Sequence, residues 1–369
     1  MNLLFIFTGG TIGSTVSGDY ISTDENKPYE LINTYCSRYG LDHSYDIMTP
    51  YTELSEQNTG VTISRLVKCL REVVQVDGGC SYDGIIVTHG TDSLPYSAAA
   101  LSYALGNQCI PVCIVSSNYP IADDRANGID NLHGAIRLIE AGMMGNRSIS
   151  DGDDKILVDR QFFSDDNLKR EISGVFVPYR NHDGIIYIHR ASKLLETAAF
   201  SDEYFSAGNK YYGSIVEDQL CINDDYEEKN DELAPFGDAC LDDINDRIFR
   251  YKVYPGIHFD LPEMITAIKE RTGSNACVLL EGYHSGTINT KYPGYQEFFR
   301  MMDKEGIPVF LTGIKEGVSY ESTSLFRELG IKPLYNMSPV AAYMKIWMMM
   351  AAGMDITPDS INKSLGGDL

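Results

Sequence analysis

Six short apolar runs recur along this 369-residue chain, and their alternation with helical patterns constrains the fold more than any other feature. Residues at helical spacing occupy 59–76 and 93–105. Continuous apolar strands that alternate with helices are typical of a parallel sheet covered on both faces. The sequence therefore predicts an α/β fold. The six runs lie at Leu3–Phe7, Gly84–Val87, Val112–Val115, Gly174–Val177, Cys277–Leu280 and Pro308–Leu311.

Chain length and one acidic segment predict two domains. At about 150 residues per domain, the chain is long enough for two cores. Residues 217–246 include 12 acidic side chains and a single lysine, which is typical of a solvated linker. We predict a larger N-terminal catalytic domain at 1–215, with a mostly parallel sheet and helices on both faces. An acidic linker or insertion is predicted at 216–247 and a smaller C-terminal α/β domain at 248–369. A second polar insert is predicted at 146–171.

The charge balance excludes two classes of partner. The chain has 30 Lys and Arg residues and 52 Asp and Glu residues, which gives a formal net charge of -22. A field of this sign repels phosphate backbones and anionic lipid surfaces. The most apolar late stretch, Val340–Met354, is shorter than the ~20 residues that span a bilayer. We therefore expect neither nucleic acid nor a membrane as a partner.

Cysteine usage and the first residues predict a cytoplasmic location. The chain starts with a strand-like run that leads directly into Gly9 and Gly10, without the basic start and cleavage region of a signal peptide. Its eight cysteines are scattered and form no CxxC pattern, which indicates reduced thiols. The seven histidines form no HExxH or similar spacing, so we expect no metal.

A hydroxyl group follows the first strand-like run, in Phe7-Thr8-Gly9-Gly10-Thr11-Ile12-Gly13. The glycines let the backbone turn sharply and approach a ligand closely. Ligands of open α/β sheets bind outside the carboxyl ends of the strands, so Thr11 is well placed to act as a nucleophile. The other interpretation is a phosphate-binding turn, but neither GxGxxG nor GxxxxGK[ST] is present.

The second strand-like run ends in the same way, in Gly84-Ile85-Ile86-Val87-Thr88-His89-Gly90-Thr91-Asp92-Ser93. Thr91 supplies another hydroxyl, and Asp92 is expected in the first turn of a helix, where the helix dipole favours an anion. Thr-Asp alone is also an ordinary helix N-cap. A threonine nucleophile needs a base, commonly a lysine that has lost its proton through burial. Two strand-end threonines in one sheet favour a nucleophilic enzyme.

In combination, Thr8–Ile12 and His89–Ser93 resemble the motifs of the bacterial-type L-asparaginase family, in particular its cytoplasmic type I branch. The similarity covers most of the chain apart from the two inserts. It implies an amidohydrolase that converts the side-chain amide of L-asparagine to L-aspartate and ammonia through a threonine acyl-enzyme. Some action on glutamine and no need for a cofactor are also implied. Further similar segments are Val115–Pro120, Ala126–Gly128, Arg190–Lys193 and Tyr254–Ile257.

The resemblance also implies catalytic roles. Thr11 matches the family's nucleophile, and Tyr20 matches the mobile-loop tyrosine that helps to activate it. Thr91, Asp92 and Lys193 match the second catalytic group. In that group a neutral lysine takes a proton through the second threonine, while the aspartate orients the lysine and receives the substrate ammonium.

Substrate binding is expected at the same two loops and at one further segment. Ser55 and Glu56 match the position that grips the charged groups of the amino acid in the family. A carboxylate at position 56 departs from the family pattern, because it binds an ammonium group but repels a carboxylate. Ser55-Glu56 is also compatible with an N-terminal helix cap. The residues expected to bind the substrate are Gly10, Ser55, Glu56, Gly90, Thr91, Asp92 and Ser117, the last through a water near the oxyanion.

Three other side chains compete for the role of the base. Lys193 is preferred because its neighbours Arg190 and Ser192 match the family pattern. Lys155 and Lys169 lie in the polar insert, where we expect them to be solvated. His89 precedes a glycine at a strand end and is interpreted as a structural, hydrogen-bonded histidine.

The second domain repeats the pattern of polar residues after a strand, in Glu281–Thr287. In the family, the matching loop of a neighbouring subunit completes the active site. The resemblance therefore implies a homodimer or homotetramer, and Ser285 and Glu321 are the candidate residues from the neighbouring subunit.

Two alternatives to an asparaginase stay open. One is the asparaginase-like subunit of archaeal glutamyl-tRNA amidotransferase, which hydrolyses glutamine with a partner chain. That subunit ordinarily carries an extra N-terminal domain, so the early position of Thr11 and the acidity of the chain disfavour it. The other is an amino-acid binding or sensing protein without turnover, which Glu56, Asn127 and the two inserts motivate. The presence of both threonines, Asp92, a lysine and Tyr20 favours the enzyme.

Overall fold

A computed structural model describes most of the chain. It leaves out residues 11, 13, 18–19, 24–26, 41–42, 75–79, 108–109, 148–171, 238, 242–246, 260–262, 264 and 268–275. The predicted nucleophile Thr11 and the lysines Lys155 and Lys169 therefore lie outside the described residues. So does the predicted insert beyond Arg147.

Helices and strands alternate over residues 20–180, whereas the strands from 174 to 252 follow one another without an α-helix among the described residues. The strands are β1 (Asn2–Phe7), β2 (Ser14–Ser17), β3 (Tyr20–Thr23), β4 (Ser44–Met48), β5 (Gly84–Thr88), β6 (Pro111–Val115), β7 (Gly174–Arg180), β8 (Ile186–Arg190), β9 (Gly213–Val216), β10 (Gln219–Ile222), β11 (Ile248–Lys252), β12 (Cys277–Glu281), β13 (Val309–Ile314) and β14 (Ile331–Tyr335). The helices are α1 (Lys27–Tyr39), α2 (Gly60–Val74), α3 (Leu94–Leu105), α4 (Gly128–Arg147), α5 (Pro293–Lys304), α6 (Pro339–Ala351) and α7 (Pro358–Ile361).

The larger sheet has eight strands in the order β10-β9-β8-β7-β6-β5-β1-β4. Strands β4, β1, β5, β6 and β7 are mutually parallel, whereas β8, β9 and β10 each run antiparallel to the preceding strand. The central strands β5 and β6 are buried along their whole length. Burial on both faces explains why their sequences are apolar without alternation. The predicted α/β class and mostly parallel larger sheet are confirmed.

Side chains of β1 alternate between two cores. Leu4 and Ile6 pack with α2 and α3 on one face of the larger sheet. Leu3 and Phe5 pack with α1 and α4 on the other face. Successive residues of a strand point to opposite faces, so each apolar run contributes to both layers. The predicted helical cover on both faces is confirmed.

The smaller sheet is parallel, in the order β11-β12-β13-β14. One of its faces, with Leu279 and Phe310, joins the same core as α3 and α6. Its other face, with Leu280 and Leu311, is covered by α5. The two sheets therefore share one continuous apolar layer. The domain limits at 216–247 and 248 stay a prediction. Among the described residues, no helix is long and apolar enough to cross a bilayer.

Helix α3 begins one residue later than the predicted start at residue 93. Its first residue is Leu94, and Ser93 is the N-cap, with no side-chain hydrogen bond to the helix. Asp92 therefore lies in the turn before the helix and not in its first turn. Pro95 at the helix start has no N–H to satisfy, which favours a start at this point.

Arg250 of β11 connects the smaller sheet to the larger one. Its guanidinium bonds Glu281 of β12, the Tyr96 hydroxyl of α3 at 2.5 Å and the Glu196 carboxylate at 2.6 Å. The Arg250 side chain is 18% exposed and that of Glu281 is 13% exposed. Charges buried to this extent are costly when they lose their partners.

We predict that Arg250→Met lowers the free energy of unfolding by about 2 kcal/mol or more, because two carboxylates lose their partner in a partly buried site. Lys291→Met is the matched control. It breaks an ion pair whose side chains are 70% and 83% exposed, so a much smaller loss is expected. Denaturant unfolding of both variants measures the difference, and equal losses would contradict this account.

Candidate functional site

Three loops meet at the carboxyl ends of β1 and β5. The Gly10 N–H donates to the Glu53 carbonyl at 3.1 Å, and the Glu53 N–H donates to the Thr8 carbonyl at 3.0 Å. The Thr8 hydroxyl donates to the Thr88 carbonyl at 2.6 Å. These bonds connect the loop after β1, the segment 53–58 and the loop after β5.

Glycine is required where these loops touch. Gly9 and Gly10 have φ values of 101° and 79°, in the region that favours glycine. A Cβ on Gly10 would lie 2.3 Å from the Gly90 nitrogen, and one on Gly90 would lie 2.4 Å from the Ser55 hydroxyl oxygen. The predicted binding residues Gly10, Gly90 and Ser55 are therefore brought into direct contact.

Ser55 holds the turn that contains Asp92. The Ser55 hydroxyl donates to Asp92 Oδ2 at 3.1 Å and accepts the Asp92 N–H, also at 3.1 Å. Ser55 is buried, whereas Asp92 and Glu56 are exposed. Ser55–Gln57 forms a single turn of 3₁₀ helix whose N-cap side chain makes no capping bond. The site thus presents two carboxylates to solvent beside a buried hydroxyl.

His89 is a structural residue, as predicted. It is 1% exposed. Its Nδ1 lies 2.7 Å from the Gly90 carbonyl, to which it donates, so Nε2 is the acceptor. The Ser97 hydroxyl at 2.9 Å and the Asn58 amide at 3.2 Å face that acceptor. Burial lowers the pKa of His89, so the ring is neutral. Its Nδ1 proton and its Nε2 lone pair both take part in hydrogen bonds.

Sequence reasoning missed three side chains that fix the Thr91 turn. The Tyr204 hydroxyl donates to the Thr91 carbonyl at 2.6 Å. Asn58 donates to the Ser93 hydroxyl at 2.9 Å, and that hydroxyl donates to the Ser55 carbonyl at 2.7 Å. Tyr204 lies 113 positions along the chain from Thr91, in a loop without a motif, so no local signal identifies it.

Ser117 lies after β6, the strand next to β5. It is fully buried, and its hydroxyl donates to the Tyr119 carbonyl at 2.5 Å. The His89 N–H donates to the Val115 carbonyl at 2.9 Å, which aligns the ends of the two strands. Ser117 therefore lies on the same edge of the sheet as Thr91, with its hydroxyl proton already used.

Lys193 follows a strand end at the edge of the larger sheet opposite to the threonine loops. It ends a 3₁₀ turn, Ala191–Lys193, that directly follows β8. Because β8 is antiparallel to β7 and pairs Arg190 with Phe176, the end of β8 lies where β7 begins. From there the chain runs along α3 to Glu196, which accepts the Tyr96 hydroxyl at 2.5 Å. Lys193 packs in this segment beside α3 and forms no hydrogen bond with Thr91 or Asp92.

Burial makes the ammonium group of Lys193 lose its proton more easily. The residue is 4% exposed, and no hydrogen-bond partner for its ammonium group occurs among the described residues. Desolvation lowers its pKa to about 8, and the positive charges of Lys210 and Arg190 act in the same direction. Asp368 and Glu228 oppose this shift. A lysine with this pKa supplies a substantial neutral fraction near pH 8.

The remaining predicted residues are placed only in part. Tyr20 opens β3, which pairs antiparallel with β2 in a hairpin just after the Gly10 loop. Ser285 lies in the turn after β12, and its hydroxyl is 3.0 Å from that of Thr287. Glu321 is exposed and bonds Lys291 at 2.7 Å. Ser285 and Glu321 therefore lie in loops that follow strands of the smaller sheet. In the part of the chain that is described, no group of three or more His, Cys, Asp or Glu side chains can hold a metal ion.

The fold and the two motifs agree with comparisons to known proteins. Residues 2–148 match the family model described as "Asparaginase, N-terminal". The solved structure of the thermostable L-asparaginase from Thermococcus kodakarensis superposes with a TM-score of 0.70 at 19% identity, over 100% of this chain and 99% of that chain. This chain has the asparaginase fold.

The curated relatives carry two different names. An L-asparaginase from Thermococcus kodakarensis is 31% identical over 147 residues, which are 39% of this chain and 42% of that protein. A glutamyl-tRNA(Gln) amidotransferase subunit from Sulfurisphaera tokodaii is 24% identical over 283 residues, which are 74% of this chain and 54% of that protein. The chain thus spans about half the length of these relatives.

We predict that the stability of the protein rises with pH relative to Lys193→Met. Below pH 8 the buried ammonium group of Lys193 destabilises the folded protein. Between pH 8 and the ordinary pKa of 10.5 the unfolded chain binds more protons than the folded protein, so the stability rises with pH. The difference in free energy of unfolding between the two proteins is expected to change by about 3 kcal/mol from pH 7 to pH 10.5. Denaturant unfolding at both pH values measures it, and parallel curves would contradict a buried, deprotonating lysine.

Proposed function

We propose that this protein is an L-asparaginase that hydrolyses the side-chain amide of L-asparagine through an acyl-enzyme on Thr11. The contact between Gly10 and Gly90 carries the proposal. Thr11 and Thr91 directly follow these two glycines, so both hydroxyl-bearing residues are covalently bound to residues that touch. This juxtaposition supports a site in which both hydroxyls act on one amide.

In the first step, the Thr11 hydroxyl oxygen attacks the amide carbon of the substrate. Its proton passes through the Thr91 hydroxyl to the neutral amine of Lys193. The carbonyl π bond breaks and a tetrahedral oxyanion forms, which backbone N–H groups near Thr91 and a water near Ser117 stabilise. When the carbonyl re-forms, the C–N bond breaks, Lys193 returns the proton to the leaving nitrogen, and ammonia is released.

In the second step, water hydrolyses the ester. The amine of Lys193 takes a proton from the water, whose oxygen attacks the acyl carbon. Collapse of this second tetrahedral intermediate breaks the ester bond, and the proton returns to the oxygen of Thr11. The products are L-aspartate and the free enzyme. Tyr20 is proposed to assist activation of Thr11 from the hairpin that follows Gly10.

Substrate binding is assigned to the polar groups around Ser55. The exposed carboxylate of Asp92, held by the Ser55 hydroxyl, is proposed to bind the α-ammonium group of the substrate. Glu56 adds a second negative charge to the same side, which strengthens selection for the ammonium group and weakens affinity for the α-carboxylate. The lowered pKa of Lys193 is compatible with its role as a base near pH 8.

A second candidate function is glutamine hydrolysis as one component of a larger amidotransferase. The match to the amidotransferase relative favours it, because that match spans 74% of this chain. Such a component keeps the same nucleophile and base but releases ammonia for a partner chain. Glutamine hydrolysis that exceeds asparagine hydrolysis and rises with a partner chain would support this candidate.

We further propose a cytoplasmic enzyme of the type I branch that assembles as a homodimer or homotetramer. Exposed aromatic side chains follow the strands of the smaller sheet, with Tyr254 57%, Tyr292 50% and Tyr320 45% exposed. Tyr320 directly precedes Glu321, and Tyr292 directly follows Lys291, the ion-pair partner of Glu321. A second copy that covers this rim would bury the aromatic rings and bring both candidate residues to the neighbouring site.

We predict that Lys193→Met lowers kcat/KM for asparagine by about 10²–10⁴-fold, because general-base assistance is lost. Thr11→Ala and Thr91→Val are expected to lose most of the activity too. Ammonia release from asparagine and from glutamine is the measurement. Lys68→Met, an exposed lysine of α2, is the matched control and should leave the rate unchanged.

The pattern of results separates the candidates. Preference for asparagine with a strong loss in Thr11→Ala supports the asparaginase. Binding of asparagine without ammonia release in the unaltered protein would instead identify an amino-acid sensor. Near-normal turnover in Lys193→Met would contradict the assignment of the base.

If each active site is shared between two subunits, two impaired variants are expected to restore activity when they are combined. Thr11→Ala removes the nucleophile of its own subunit, whereas Glu321→Gln weakens the site of its neighbour. After the two variants are unfolded and refolded together, mixed dimers contain one site with Thr11 and Glu321 both intact, so ammonia release is expected to reappear. Each variant refolded alone is the control. Mixtures that stay as inactive as the separate variants would contradict a site shared between subunits.

A further inference from the structure

Residues 364–368 form a buried segment behind the proposed base. All five residues are buried, although the residue before them, Lys363, is exposed. The segment packs against α3, α6, the turn Ala191–Lys193 and residues 232–233. The N–H groups of Glu232 and Leu233 donate to the Ser364 carbonyl at 3.0 and 3.3 Å. Buried loops are rare, because their backbone polar groups need partners.

This segment holds the residues just before Lys193. The Ser192 hydroxyl donates to the Gly366 carbonyl at 2.7 Å in a buried bond. A Cβ on Gly367 would lie 2.7 Å from Nε of Arg190. Gly366 and Gly367 have φ values of 61° and 72°, so the backbone turns here in a way that other residues rarely adopt. The turn that carries Lys193 is therefore supported at two of the three preceding residues.

Asp368 fixes this segment through a fully buried ion pair. Its Oδ2 lies 2.7 Å from Nζ of Lys345, and both side chains are 0% exposed. The Tyr103 hydroxyl of α3 donates to the same oxygen at 3.1 Å, and the Leu365 N–H donates to Oδ1 at 3.0 Å. Lys345 also donates to the Lys363 carbonyl. These bonds connect the segment to both α3 and α6.

Four charged groups act on the ammonium group of Lys193. Asp368 and Glu228 favour its protonated form, whereas Lys210 and Arg190 disfavour it. Asp368 has the largest effect of the four. Arg190 and Glu228 form an ion pair with each other, and their charges act on Lys193 with opposite signs. Desolvation is the main effect on Lys193, and Asp368 is the principal charge that opposes it.

We propose that residues 364–368 are a positioning segment for Lys193, in which the bond between Ser192 and Gly366 sets the place of the base and Asp368 is a buried carboxylate held beside it. Asp368 is a positioning residue that acts through Lys193 and does not touch the substrate. The inference rests on the proposed role of Lys193 as the base. In this account, the pH range of the reaction depends in part on Asp368, a residue far along the chain from the catalytic loops.

The test compares pH profiles of kcat/KM for asparagine. Asp368→Asn removes a negative charge that favours the ammonium form, so Lys193 loses its proton at lower pH. The acid-side midpoint of the profile is expected to move down by about 1 pH unit. Ser192→Ala keeps all charges and loosens the turn, so kcat is expected to fall about 10-fold with the midpoint unchanged. Glu140→Gln on α4 is the control. It loses bonds to His43 and to Arg137 and should change neither the midpoint nor kcat.

A double variant keeps the test possible if Asp368→Asn alone does not fold. Asp368→Asn leaves the charge of Lys345 unpaired, so the double variant Lys345→Met/Asp368→Asn replaces the whole pair with neutral groups. A smaller downward shift of the midpoint is expected in the double variant, because the lost positive charge of Lys345 acts against the lost negative charge of Asp368. Unchanged midpoints in the folded variants would overturn the role of Asp368, and an unchanged kcat in Ser192→Ala would overturn the role of the turn.

A readout without turnover separates this inference from the proposed function. The pH dependence of the unfolding free energy, measured with and without Lys193→Met, reports the titration of Lys193 directly. If the protein hydrolyses no amide, the proposed function fails, and a shift of this titration by Asp368→Asn still supports the electrostatic role. A titration of Lys193 that is the same with Asp and Asn at position 368 overturns it.

Discussion

The structure depends on a close approach of backbone to backbone at the end of two neighbouring parallel strands. Gly10 and Gly90 touch at a distance that leaves no room for a side chain, and Ser55 fills the remaining space. Parallel pairing of β1 with β5 aligns these strand ends, and hydrogen bonds through Glu53 hold the loops. The arrangement of Thr11 and Thr91 that we propose follows from this contact.

Desolvation is the second constraint, and it links the site to the core. The buried amine of Lys193 has no hydrogen-bond partner among the described residues, so its charge responds to surrounding groups. Buried polar networks around it, including the ion pair of Lys345 with Asp368, keep other charges fixed. A protein interior of low dielectric therefore lowers the pKa of Lys193, while Lys345 and Asp368 stay paired with each other.

Sequence patterns predicted the elements whose signal is local. The apolar runs became β1, β5, β6, β7, β12 and β13, and the glycine-rich loops were found because conformation and contact both require glycine there. The position of Lys193 relative to the larger sheet was not predictable from periodicity, because β8 runs antiparallel and ends at the opposite edge. Tyr204 contacts the Thr91 turn and Asp368 contacts α3 only through tertiary folding, from loops without a motif.

Trapping of the covalent intermediate tests the central claim most directly. The protein is mixed with asparagine, quenched in acid within the first turnover, digested and analysed by mass spectrometry. The account predicts an aspartyl ester on the peptide that contains Thr11, which disappears in Thr11→Ala and accumulates when deacylation is slowed. An ester on Thr91 or on another residue, or full turnover in Thr11→Ala, would contradict it.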